Sequence, residues 1–87
     1  MDLTVNLADG KFLINGAMYS IDSQSSQKGI WKVTALEWQQ ADNIVIFCSD
    51  SDVKINIRFA NPECARQVLR VTERLMAMGE EVRLEVV

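Results

Sequence analysis

There is no histidine in this chain. That absence removes Ser-His and Cys-His nucleophile activation, imidazole proton transfer and most zinc sites, each of which needs an imidazole that works near neutral pH. Proline occurs once and the four glycines are scattered, so neither the phosphate-cradling G-x-x-x-x-G-K nor the dinucleotide G-x-G-x-x-G pattern is present. No Asp or Glu lies inside an apolar stretch of the kind that turns a carboxyl into a general acid. The expectation is a protein that is not an enzyme and holds no cofactor or metal.

Cysteine is also scarce. Cys48 and Cys64 each stand where an apolar residue is expected, one at the end of a strand-like run and one at the start of a helix-like run. Buried free thiols are the expected state, because the chain starts without the charged and apolar leader that sends proteins to an oxidising compartment. No apolar run approaches the roughly 20 residues that span a bilayer. The expected location is the cytoplasm. Positive charge is in deficit too, with a formal net charge of −3, which argues against general affinity for nucleic acid or anionic lipid. The deficit is uneven: up to Asp52 seven acids face three bases, and from Val53 onward six bases face five acids.

What is present is an ordinary globular mixture, 48% apolar and 24% charged over 87 residues. A domain of this size buries about 60 to 65% of its unfolded surface, enough for one core. We expect a single small domain spanning 1–87. Leu3, Val5 and Leu7 alternate with polar residues; Asp9-Gly10 and Asn15-Gly16 then interrupt, and both dipeptides suit tight hairpin turns. Three short antiparallel strands result. Asp22 to Gly29, DSQSSQKG, contains no apolar residue and reads as an exposed loop. Ile30 to Trp38 and the apolar run ending at Cys48 form a second hairpin. After Asp50-Ser51-Asp52, residues Val53, Ile55, Ile57 and Phe59 give the cleanest period-two signal.

Asn61-Pro62-Glu63 carries the cues of a helix start: a capping side chain, proline where no amide hydrogen is needed, and an acid near the positive dipole end. Cys64, Val68, Val71, Leu75 and Met78 follow at helical spacing, flanked by Leu69 and Met76, and Gly79 is placed to end the helix. Glu81 to Val87 alternates again. The expected fold is therefore α+β: a mostly antiparallel sheet of order β-β-β-β-β-β-α-β with one C-terminal amphipathic helix packed on one face. A meander followed by an amphipathic helix resembles the pleckstrin-homology-like architecture in element order alone. The strand after the helix departs from it, and the resemblance implies no residue or function.

Two groups of side chains are candidates for contact with a partner. If six strands run up and down in order, Asp9, Asp22, Asp50 and Asp52 share one end of the sheet; they then form an acidic rim able to meet a basic surface, although turn chemistry alone also explains them. Arg66, Arg70 and Arg74 recur along the helix opposite its apolar stripe, either as a solvated face or as guanidinium groups for an acidic partner. Trp38, flanked by Glu37, Gln39 and Gln40, is the candidate surface aromatic. An unbroken strand would point Trp31 and Trp38 to opposite sides. The functional expectation is a small non-enzymatic protein-binding module, an inhibitor or accessory protein of phage or mobile-element type whose acidic rim covers the basic nucleic-acid-binding surface of a larger protein. It would touch neither nucleic acid nor membrane. The alternative is a structural subunit that forms a homodimer or larger assembly through an edge strand such as EVRLEVV.

Overall fold

The alternating stretches become seven strands, β1 (Asp2–Asn6), β2 (Lys11–Ile14), β3 (Ala17–Gln24), β4 (Gly29–Gln39), β5 (Ile44–Ser49), β6 (Lys54–Phe59) and β7 (Arg83–Val86), with one helix, α1 (Pro62–Ala77), between β6 and β7. The structure is a computed structural model that describes residues 1–87. The element order is the expected one. The Asn15-Gly16 turn has positive φ at both residues, 52° and 83°, as a two-residue hairpin with right-handed strand twist requires.

The strands do not form an open sheet with two faces. They close into a mixed barrel in the order β1-β2-β3-β6-β5-β4-β7. Six of the seven pairings are antiparallel and the seventh, β1 with β7, is parallel. The simple up-and-down order fails at β3, which pairs with β6 and not with β4. β4, β5 and β6 form consecutive hairpins and β3 lies beside the last of them, a Greek-key arrangement. β7 lies between β1 and β4, so the strand that departs from the pleckstrin-homology-like order is the one that closes the barrel. It is paired on both sides and offers no edge for a second copy.

Closure depends on two strands that each serve two sheets. β3 pairs with β2 through Ala17–Ser20 and then with β6 from Ile21 onward, with a bulge between Ile21 and Ser23. β4 pairs with β7 through Gly29–Lys32 and with β5 from Val33 onward, with a bulge between Val33 and Ala35. Bulges bend a strand and increase its twist, which lets it turn a corner between sheets. The β4 bulge also shifts the alternation by one residue. Trp31, Val33, Leu36 and Trp38 therefore all face inward, and the expectation that the two tryptophans point to opposite sides is overturned.

Inside, Phe12 stacks on Phe47 with centroids 5.6 Å apart and meets Phe59 edge-on at 5.4 Å, within the range where aromatic pairs attract beyond their buried area. Leu3, Val5, Ile14, Val45, Ile55, Ile57 and Leu84 complete the centre. Ile46 is buried although it points outward. Lys54 and Glu37 bridge across β5 at 3.7 Å, and their stems shield it.

The helix spans the barrel mouth and does not lie on a sheet face. Its cap is as expected, with Asn61 Oδ1 accepting from the Cys64 amide at 2.9 Å. At the other end Gly79 has φ +82°, and the Glu80 and Gly79 amides donate to the Leu75 and Met76 carbonyls at 3.1 Å, a Schellman motif. β6 ends and β7 begins at the same end of the barrel, and between them α1 touches β3, β4, β5 and β6. Its deepest residues are Ala65, Val68 and Thr72. The expected stripe is displaced by about one position because small side chains allow the closest approach. Val71 and Leu75 flank this contact half-buried, and Met78 is exposed.

Candidate functional site

The barrel has a turn end, where β1 joins β2, β3 joins β4 and β5 joins β6, and a helix end, where the remaining connections and α1 lie. Asp9, Asp50 and Asp52 fall at the turn end and Asn15, Asp42 and Asn61 at the helix end, as expected. Asp22 differs. It is not in a loop but in β3, exposed at the bulge, because backbone pairing with β6 extends the strand through polar residues to Gln24.

The turn end is not a pole of one sign. Lys11 opens β2, Lys28 precedes β4 and Lys54 opens β6, so three lysines share the rim with the three aspartates. Lys11 donates to Ser20 Oγ at 3.0 Å and Lys54 leans toward Glu37. The β5–β6 turn is organised by Ser49. Its Oγ accepts from the Ser51 amide at 3.3 Å and the Val53 amide at 3.1 Å, and it lies 3.2 Å from Ser51 Oγ. Asp52 contributes a left-handed residue, φ 62°, a conformation Asp tolerates better than most. The carboxylates of Asp50 and Asp52 remain exposed and unused by the turn. No group of three or more His, Cys, Asp or Glu side chains is placed to hold a metal ion. Cys48 and Cys64 are free, as expected, but half-buried and not buried.

Trp38, Arg66 and Arg70 come together at the helix end. β7 pairs with β4 only through Lys32, so beyond Val33 that flank of β4 has no neighbouring strand, and α1 lies against it. Two adjoining hollows form along the seam. One, of about 300 Å³, is lined by Leu36, Trp38, Leu69, Glu73 and Met76. The other, of about 350 Å³, is lined by Trp38, Arg66, Leu69, Arg70 and Glu73. They share Trp38, Leu69 and Glu73 and form one shallow groove. Its floor is apolar, and its charges run along the helix from Arg66 and Arg70 to Glu73.

Arg66 donates to Glu63 at 2.9 Å, and Gln67 donates to the other oxygen of the same carboxylate at 3.0 Å. Arg70 makes neither an ion pair nor a side-chain hydrogen bond. Trp38 is half-buried, and its indole N–H is buried without an acceptor. Arg74 is exposed and lines neither hollow. A third hollow of about 260 Å³ lies at the turn end, between Ser25–Gln27, Trp31, Val53 and Lys54. None of the four candidate aspartates lines any of the three.

Leu36, Leu69, Glu73 and Met76 are the groove residues that sequence reasoning did not single out. Leu69 and Met76 were legible as the margin of the helix stripe. Leu36 was not, because only the β4 bulge turns it inward. No protein-family model matches this chain, and no curated protein or solved structure matches it.

Proposed function

We propose that this protein is a small non-enzymatic binding module, an inhibitor or accessory protein, that docks on another protein through the groove between β4 and α1. The observation that carries this reading is the coincidence of Trp38, Arg66 and Arg70 around an apolar hollow. Tryptophan and arginine are the residues most enriched among energetic anchors of protein interfaces. The hollows are small and open, at the lower limit of the roughly 300–1,000 Å³ typical of small-molecule sites. Such a shape suits insertion of one or two side chains better than enclosure of a metabolite. The absence of histidine and of phosphate-binding motifs supports a role in binding over one in chemistry.

The aspartate end is the second candidate surface. Topology favours it by gathering Asp9, Asp50 and Asp52, and the interleaved lysines weigh against it. The test is capture from a lysate of the native host with three baits: the native chain, Leu69→Glu, and a variant with Asp9, Asp22, Asp50 and Asp52 changed to Asn. The expected result is a captured protein that is lost with Leu69→Glu and kept with the quadruple variant. The reverse pattern would move the contact to the turn end. Light scattering of the free chain that showed a stable dimer seated on Leu69 would replace both readings with self-assembly.

A further inference from the structure

One wall of the groove is a strand flank whose backbone has no partner. We propose that an extended segment of a partner protein adds to β4 along Leu36–Trp38, as one more strand between β4 and α1, and drops two alternate apolar side chains into the two hollows. This rests on the groove being the docking surface and adds how its occupant is held.

The register shows which groups are free. The Phe59 amide donates to the Asn43 carbonyl at 2.9 Å, outside the Ile44–Arg58 pair, so Ile44, Ile46 and Cys48 direct their backbone groups away from β6 and toward β4. Their partners there are Gln39, Glu37 and Ala35. Backbone direction alternates along a strand, so the N–H and C=O of Leu36 and Trp38 point to the flank that β7 leaves after Lys32. No turn, loop or side-chain hydrogen bond takes them up, and none comes from α1. The other corner strand differs. Beyond Ile21, β3 is bulged, short and polar, with an exposed Asp22, the features that blunt an edge against pairing. The β4 flank runs from Thr34 to Gln39 without Lys or Pro.

The complementarity is one of partial charges. Two N–H and two C=O groups in alternation are matched by another extended backbone, whatever its sequence. The formal charges of the rim select no sign, because Arg66 pairs with Glu63 and Arg70 is offset by Glu73. The apolar floor supplies the rest. Alternate side chains of a strand project to the same face roughly 7 Å apart. One hollow opens beside Leu36 and Trp38 and the next beside Trp38 and Leu69, so side chains two residues apart reach one each.

The test starts with amide exchange of the free chain. The Leu36 and Trp38 amides are expected to exchange at least about tenfold faster than those of Ala35 and Glu37; equal protection would overturn the open flank and the proposal with it. Nonapeptides are then selected from a displayed random library on the immobilised full chain. The expected winners carry apolar residues two apart, slow exchange at Leu36 and Trp38, and fail to bind Leu69→Glu. N-methylation of one alternate set of amides in a synthetic winner should weaken binding at least about tenfold, and of the other set by less than about threefold, since only one set faces β4. Equal sensitivity of the two sets, apolar spacings of three and four, or a selection that yields no binder would overturn strand addition. The capture experiment with Leu69→Glu would still decide, in each of those cases, whether the groove is a docking surface.

Discussion

At the scale of single residues, the barrel is held by a few side chains whose hydrogen bonds, or lack of them, can be counted. Ser49 is almost fully buried and its hydroxyl serves two backbone amides of the β5–β6 turn. Ser49→Ala leaves those amides short of an acceptor, and we expect a loss of about 1–2 kcal/mol in urea unfolding. Thr72 is the opposite case. It is fully buried in the contact between α1 and the barrel, and its hydroxyl has no partner. Val has nearly the same shape and similar helix propensity, so Thr72→Val should raise stability by about 1 kcal/mol by removing an unsatisfied polar group. A lower urea midpoint for that variant would mean that the hydroxyl is satisfied. Phe12, stacked on Phe47 and edge-on to Phe59, is the reference for the core: Phe12→Ala should cost about 3–5 kcal/mol, enough to unfold much of a marginal domain.

At the scale of elements, ends and local periods could be read from the chain, whereas neighbours could not. Asn61-Pro62 announced the start of α1 and Gly79 its end, because capping chemistry acts over three or four residues. Gly79→Ala tests that signal directly: a Cβ at φ +82° would meet no neighbouring atom within 4 Å, so the cost is conformational, about 1–2 kcal/mol, read as a lower melting temperature. Seven strands were likewise visible in the alternation. Their pairing was not, because the corners at Ile21–Ser23 and Val33–Ala35 are bulges, and a bulge adds a residue without changing composition. For the same reason Trp38 could be named as a candidate aromatic but not placed beside Arg70. That juxtaposition needs β4 to outrun β7 and α1 to seat on the flank left over. Asp22 was misplaced because polar residues extend β3, where backbone pairing with β6 demands no apolar side chain.

At the scale of the whole molecule, β7 is what makes the barrel a barrel. Unpaired strand edges invite pairing with other chains, so truncation before Arg83 would bare the flanks of both β1 and β4. We expect such a chain to aggregate at micromolar concentration, as dynamic light scattering would record. A truncated chain that stayed monomeric with native circular dichroism would show that closure is dispensable. The ladder between β1 and β7 has a further consequence. It joins segments about 80 residues apart, as the contact between the Met1 amine and the Glu81 carbonyl marks. Contacts of such long sequence separation slow folding because their entropy must be lost before they reward the chain. A ribosome delivers β7 after the six other strands and α1, so the nascent form waits with its seam open until β7 has cleared the ribosome, and that interval is when a chaperone has most to hold.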